Sequence, residues 1–335
     1  MLEAVALGWQ EDGMSEECST RKLPVWADAF NDEMIDYWSG EVLWNQPMAN
    51  FTTFRVGGSA EAIIFPAGIK ELGQLLKGIK RVNIPCRLIG GGSNILVADE
   101  GLCGVTLVLG KSFSRINVLK EVDDRVYVKV EAGCSLGRLV NWSMEQGLSG
   151  LEFVAGIPGT VGGALVMNAG AWGSEICQVV SSVTVMDENG DCAVKDLEEL
   201  HYTYRSWGEE AGSLAVEGVF QLQRADKVAI KKTCQKLIAN RKGRQPTGAS
   251  CGSFFKNPKQ GKTAGQLIDE AGLKGKRVGG AMVSPVHGNF LINTGTANAH
   301  DLVELMKMVQ STVKEKFSVF LEPEVKLLGF EGRNL

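Results

Sequence analysis

Two glycine-dense segments carry the clearest chemical signal in this chain. Residues 150–173 read GLEFVAGIPGTVGGALVMNAGAWG, with glycine at 150, 156, 159, 162, 163, 170 and 173. Glycine adopts positive φ and lets a ligand approach bare backbone. Residues 87–101 read RLIGGGSNILVADEG. Leu88 and Ile89 predict a short strand, which runs into Gly90, Gly91, Gly92, Ser93 and Asn94. Successive N–H groups and a hydroxyl in such a loop suit a pyrophosphate. Dense glycine also suits tight turns inside a sandwich, and glycine content alone leaves the two readings level. No GxGxxG occurs, so a Rossmann dinucleotide fold has little support. GKS at 110–112 and GKT at 261–263 invite a phosphate-loop NTPase. Both fail, because Val105 and Lys256 stand where the first glycine of that motif is required.

Other residues could meet an anion. Arg241, Lys242, Arg244 and Lys256 form a basic strip. It would contact a pyrophosphate, or it is a solvated helix end, where cations are also favoured. The whole chain of 335 residues has net charge −4, which argues against a nucleic-acid partner. No apolar run approaches a membrane span. The N-terminus carries Glu3, Glu11, Asp12, Glu16 and Glu17 and lacks a basic-then-apolar start, so no secretory signal is expected. Eight cysteines at 18, 86, 103, 134, 177, 192, 234 and 251 include no CxxC, and His occurs only at 201, 287 and 300. A structural zinc site is not expected. The thiols read as reduced and mostly buried in a cytoplasmic protein.

The elements that must position these groups are legible in outline. Residues 1–37 are acidic and weakly patterned and read as an N-terminal extension, partly disordered. A strand at 62–65, a helix at 69–82 with Leu72, Leu75, Leu76 and Ile79 on one face, and strands at 87–89 and 105–109 make a compact α/β half. Val126, Val128 and Val130 alternate with Tyr127 and Lys129, a strand with one buried face. A helix at 136–146, the glycine-rich stretch, and strands at 182–186 and 216–222 follow, with a turn at 187–191. Residues 227–241 predict a basic amphipathic helix. Helices at 264–271 and 300–317 end the pattern, the last with Leu302, Leu305, Met306, Val309 and Val313 on one face. There is no internal repeat.

The order of three motifs adds more than any one of them. NFTTFRVGG at 50–58, GGGSNILV at 90–97 and GIPGTVGGA at 156–164 together resemble the UDP-N-acetylenolpyruvoylglucosamine reductases, the MurB family of flavoenzymes. The likeness runs from about Phe51 to Gly329. It implies an α+β fold: a two-part FAD-binding module of the vanillyl-alcohol-oxidase (PCMH) type, followed by an α/β substrate-binding domain. The implied parts are residues 38–109, 110–228 and 229–335, with the last strand returning to the FAD module.

The resemblance also implies the activity. The family reduces the enolpyruvyl ether of UDP-N-acetylglucosamine-enolpyruvate to UDP-N-acetylmuramate, a cytoplasmic step of peptidoglycan precursor synthesis. NADPH reduces noncovalent FAD, and hydride then passes to the vinyl carbon of the substrate. Arg205 in HYTYRSW, Ser253 in CGSFFKNP and Glu324 in LEPEVKLLG match the family's catalytic residues. Taken singly, each has a bland reading as surface charge, turn residue or solvated carboxylate. In the family's chemistry a fixed cation at 205 stabilises the charge that spreads into the substrate carboxylate. The hydroxyl at 253 protonates the resulting carbanion, with Lys256 as an electrostatic helper. Glu324 hydrogen-bonds the carboxylate or orients water and Arg205.

FAD contacts are implied at Arg55, Gly90, Gly91, Gly92, Ser93, Asn94, Gly156, Ile157, Pro158, Gly159, Thr160, Gly162, Gly163, Ala164, Asn168 and Gly170. Substrate contacts are implied at Arg241, Lys256, Asn257, His287 and Asn289. A monomer with no membrane partner is expected. Only 48 residues separate position 205 from position 253, so the chain looks like the family's shorter variant, which lacks an extra tyrosine-bearing loop. Trp207 departs from the family's usual residue. Oxygen-using flavin oxidases share the FAD half, but GSFFKNP and EPEV belong to the reductases. A non-catalytic nucleotide-binding regulator would be expected to lose the polar trio, which is present.

Overall fold

The structure is a computed structural model, and it describes residues 4–6, 23–34, 38, 40, 42–210 and 212–331. The first sheet has the order β1 (Ala4–Ala6), β4 (Cys86–Ile89), β6 (Leu102–Val108), β3 (Ser59–Ile64), β2 (Val42–Pro47). β3 and β4 both run parallel to β6, and the outer pairs are antiparallel. The helix that crosses over within this sheet is α2 (Ile69–Arg81). Its apolar residues recur at helical spacing, and Leu72, Leu75, Leu76 and Ile79 are buried. Lys80 and Arg81 occupy the last turn, where cations complement the helix dipole. α1 (Ala27–Met34) packs beside it through Phe30 and Met34. This part of the expected extension is therefore built into the core. Residues 1–3, 7–22 and 35–37 of that extension lie outside the described residues.

The second sheet is antiparallel, ordered β13 (Cys192–Asp196), β12 (Val180–Met186), β14 (Leu214–Arg224), β8 (Arg125–Glu131), β7 (Ile116–Val122). Val126, Val128 and Val130 of β8 are fully buried on one face, as their alternation predicts. A short strand, β9 (Leu148–Ser149), also pairs with β14. α3 (Leu136–Gln146) begins at Ser135, whose hydroxyl accepts from the Arg138 N–H, and ends at Gly147 with φ +68°. α4 (Val161–Val166) lies against β14. After it comes a hairpin of β10 (Gly170–Ala171) and β11 (Ser174–Glu175).

α5 (Lys227–Arg244) runs one turn beyond its predicted end. Only Ile230 and Cys234 are buried along it, a narrower seam than an amphipathic helix presents. Beyond it, α6 (Ala264–Glu270) and α7 (Ala299–Phe317) pack on a three-stranded meander of β15 (Arg277–Val278), β16 (Ala281–Val283) and β17 (Leu291–Asn293). The core of this region takes in Phe54, Val56, Leu96 and Ala98 from the first half of the chain. Asp99 ties the two parts again, accepting from the Ala299 and His300 N–H groups at the start of α7. The last strand, β18 (Lys326–Leu328), leaves this region and pairs in parallel with β5 (Ile95–Val97).

No helix among the described residues is long and apolar enough to cross a membrane. Of the seven described cysteines, Cys86, Cys134, Cys234 and Cys251 are buried, whereas Cys103 and Cys192 are exposed.

Candidate functional site

Arg205 and Glu324 meet although 119 residues separate them. The Arg205 Nε–H donates to Glu324 Oε1 at 2.7 Å, and the two side chains are 11% and 1% exposed. The chain delivers Arg205 on a tight hairpin. Thr203 N–H donates to Ser206 O at 2.9 Å, and Ser206 N–H donates back to Thr203 O at 3.2 Å. That leaves Tyr204 and Arg205 as the two tip residues. Arg205 sits at φ +59°, a region costly for any residue with a Cβ. Such backbone persists only where surrounding structure imposes it, and it concentrates at functional sites.

The guanidinium is enclosed on several sides. The Tyr204 ring lies 4.9 Å from its centre, in cation–π range. Gly170 leaves room beside it, because a Cβ there would stand 3.5 Å from Nη1 and 2.9 Å from Glu175 Cγ. Among the described residues, Nε alone of the guanidinium nitrogens has a hydrogen bond. The Nη edge is left to bind a planar anion such as a carboxylate.

Glu324 arrives from the C-terminal strand region. Its backbone N–H donates to Phe254 O at 2.8 Å, and its carbonyl accepts from Asn94 Nδ2 at 3.1 Å. Burial pushes its carboxyl pKa up, and the Arg205 charge acts in the opposite direction. A raised folded-state pKa gives stability that is complete below the ordinary value of 4.5 and is lost as pH rises through the folded value. Glu324→Gln cannot ionise. It is therefore expected to gain stability relative to the native protein as pH rises above 4.5. Urea unfolding of both proteins across that range tests this, and a pH-independent difference would contradict it.

Ser253 lies one residue before the Phe254 carbonyl that binds the Glu324 N–H. Gly252 precedes it with φ +85°, and Phe254 and Phe255 behind it are fully buried. The Ser253 hydroxyl itself is half-buried and has no hydrogen-bond partner among the described residues. The segment is held from below by Asn289. Asn289 Oδ1 accepts from Phe255 N–H at 2.9 Å, its Nδ2 donates to Phe255 O at 2.8 Å, and its own carbonyl accepts from Phe254 N–H. Asn289 is 3% exposed, so its side chain sets the loop rather than facing a cleft. His287 turns elsewhere: its Nδ1 accepts from Asn289 N–H, and its Cε1 abuts Gly265 of α6. Burial and Lys274 lower the His287 pKa. Lys256 is paired with Glu322 at 3.3 Å on the surface. Asn257 Oδ1 accepts from Ala264 N–H.

The two glycine loops face each other. A Cβ on Gly90 would lie 2.6 Å from Thr160 Oγ1, and one on Gly91 would lie 3.1 Å from Gly159 Cα. Gly92 combines φ +63° with a Cβ position 1.8 Å from Phe51 O, so only glycine fits. Ser93 Oγ donates to Pro158 O at 3.3 Å. Thr160 caps α4, its hydroxyl accepting from Gly163 N–H. Gly162 packs on Ala132, 2.8 Å from the position of a Cβ, and Gly163 and Ala164 are buried beside it. Ile157 is buried in the second-half core, whereas Gly156 and Pro158 are exposed. Arg55 is exposed, with φ +57°.

Several polar atoms here lack a partner among the described residues. Asn94 Oδ1 and Thr53 Oγ1, both on the loops that meet at Gly92, are buried without a hydrogen bond. Arg241 Nε is also buried without one, and Arg241 Nε would stand 3.7 Å from a Cβ on Gly156. Burial lowers the pKa of Arg241. Such groups are costly unless a ligand or ordered water completes them. Bare backbone, orphaned donors and acceptors, and a half-buried cation fit a flavin dinucleotide.

Three residues of this surface escape a reading by residue type. Thr53 lies within the first motif but resembles any loop hydroxyl. Tyr204 is 46% exposed beside Arg205. Trp172 is 42% exposed at the tip of the β10–β11 hairpin, 5.9 Å from the Arg244 guanidinium. Trp172 and Gly173 both have positive φ, and the signal was the two-residue Trp-Gly turn. Trp207 is 5% exposed within the second-half core, where it anchors the chain just after Arg205.

Comparison with known proteins agrees with this geometry. Residues 60–194 match the profile of an FAD-binding domain, and residues 245–328 match that of the UDP-N-acetylenolpyruvoylglucosamine reductase C-terminal domain. The chain is 39% identical over 305 residues to the UDP-N-acetylenolpyruvoylglucosamine reductase of Bacillus licheniformis, covering 90% of this chain and 99% of that one. It is 38% identical to the Bacillus subtilis reductase, covering 87% of this chain and 95% of that one. The crystal structure of the reductase (MurB) from Thermus caldophilus superposes with a TM-score of 0.75 at 36% identity, covering 87% of this chain and all of that one. A paired arginine and glutamate beside two facing glycine loops, in a chain matched over nearly its whole length, place this protein in the UDP-N-acetylenolpyruvoylglucosamine reductase family.

Proposed function

We propose that this protein is an FAD-containing oxidoreductase that uses NADPH to reduce UDP-N-acetylglucosamine-enolpyruvate to UDP-N-acetylmuramate in the cytoplasm, acting as a monomer on a peptidoglycan precursor. The observation that carries this reading is the buried Arg205–Glu324 pair, whose Nη edge has no hydrogen bond among the described residues, next to the Ser253 loop. Bound FAD would supply the hydride-carrying chemistry. Gly90–Asn94, Thr53 and the facing loop of residues 156–160 would hold it. Arg241 and Arg244 would meet pyrophosphate, and Trp172 would give the nucleotide a flat apolar face. The pieces are taken as residues 38–109 and 110–228 for the FAD module and 229–335 for the substrate region.

The residues then have separate tasks. The Arg205 Nη edge holds the substrate carboxylate and stabilises the negative charge that grows on it as the vinyl carbon gains hydride. Glu324 fixes the guanidinium through Nε, so that Arg205 need not reorganise. Ser253 Oγ–H donates a proton to the carbon next to the carboxylate, and water restores the hydroxyl. Phe254 and Phe255 keep bulk water away from that side of the loop.

Anaerobic mixing tests the proposal. NADPH should bleach the flavin absorbance, and UDP-N-acetylglucosamine-enolpyruvate should restore it without oxygen. Acid precipitation should leave all yellow colour in the supernatant. A colourless protein, colour held in the pellet, or a flavin that only oxygen reoxidises would refute the assignment.

A further inference from the structure

We infer that Asn168 is a positioning residue for Arg205 and not a cofactor ligand. This rests on the reading of Arg205 given above. Asn168 follows α4 with φ +43° and is 1% exposed. Its Nδ2 donates to Thr203 O at 3.1 Å and to Glu175 Oε2 at 2.8 Å, and its Oδ1 accepts from Cys177 N–H at 3.1 Å. An asparagine amide has two N–H donors and one carbonyl. Both donors and the oxygen are therefore engaged by protein. The partners also fix which way the amide points, because two acceptors face the nitrogen and one donor faces the oxygen.

Thr203 O is the acceptor that closes the Arg205 hairpin, since it also takes the Ser206 N–H. Asn168 thus grips the turn at the carbonyl that defines it. The turn needs such a grip, because Arg205 at φ +59° would relax to negative φ if it were free. The second Asn168 donor holds Glu175 of the β10–β11 hairpin, which carries Gly170 beneath the guanidinium. One buried amide therefore sets both the backbone that aims Arg205 and the surface it lies on. Trp207 and the Ser206 Oγ···H–N Gly208 bond hold the far side of the turn but leave the Thr203 carbonyl untouched.

The inference is tested by coupling. Asn168→Ala, Arg205→Ala and the double variant are prepared with FAD bound. NADPH reduction and reoxidation by UDP-N-acetylglucosamine-enolpyruvate are followed separately in stopped flow. Asn168→Ala should keep native FAD content and native flavin reduction. Its reoxidation should slow about 10-fold or more, the scale of a misplaced reacting group. In the Arg205→Ala background the same change should alter reoxidation by less than about 2-fold, because residues acting as a unit are not additive. Equal effects in both backgrounds, weakened FAD binding, or native reoxidation by Asn168→Ala would overturn the inference. Native reoxidation by Arg205→Ala alone would instead sink the role given to Arg205, so the two failures are distinct. Should Asn168→Ala not fold, Asn168→Asp carries the test. It keeps the size, the tolerance of positive φ and the bond from Cys177 N–H, and it removes both donors.

Discussion

Arg205→Ala is expected to slow reoxidation of the reduced flavin by substrate by about 10²–10³-fold, the scale of losing one preorganised donor to developing charge. NADPH should still reduce the flavin at close to the native rate. The asymmetry follows from the geometry. The Nη edge has no hydrogen-bond partner among the described residues, so it is available to a carboxylate, and only the second half-reaction builds charge on one. The variant also strands Glu324, which is 1% exposed and would lose the Arg205 guanidinium it pairs with. Arg205→Lys should recover little, because an ammonium cannot bond Glu324 through Nε and present a flat Nη edge together. Equal slowing of both half-reactions would show that Arg205 serves binding or folding in general.

Ser253→Ala is expected to cut turnover about 10²-fold or more, the contribution of a positioned acid. FAD content and reduction by NADPH should be native, because the hydroxyl has no hydrogen bond to lose among the described residues. The backbone of the loop is set by Asn289, Glu324 and the two buried phenylalanines, none of which depends on that hydroxyl. Ser253→Cys, of similar size and greater acidity, should restore part of the loss. Stopped-flow reoxidation of the alanine variant by the enolpyruvyl substrate decides the matter, and a native rate there would make Ser253 a loop residue only.

Much of the frame was legible in the residues. The α2 and α3 boundaries fall within one residue of those read from apolar spacing, because each helix buries one clean face. Val126, Val128 and Val130 announced their strand for the same reason. The short strands β5 and β15 to β17 and the edge strand β7 were not legible, and β18 was expected only from the family resemblance. Two- and three-residue strands carry no period, and β7 is exposed along most of its length, so its sequence shows little alternation. At the site, the matching motifs pointed to Arg205, Ser253 and Glu324, yet nothing local could reveal that two of them form an ion pair across 119 residues. Residue type likewise could not separate Asn289 and Asn168, whose amides are engaged by backbone, from Asn94, which keeps a buried oxygen without a partner.

The pairing of Ile95–Val97 with Lys326–Leu328 bears on the order of assembly. The strand after the first glycine cluster finds its partner almost at the end of the chain, and the Asn94–Glu324 bond closes a separation of 230 residues. During synthesis the two glycine loops leave the ribosome long before the strand that pairs beside the first of them. Contacts of such long range form late, after the loop-closure entropy between the two segments has been met. Glu324 and the Arg205 pair therefore come into register only when synthesis is nearly finished. A chain cut short before residue 320 would retain both glycine clusters and the Arg205 turn but would lack the carboxylate that holds the guanidinium still.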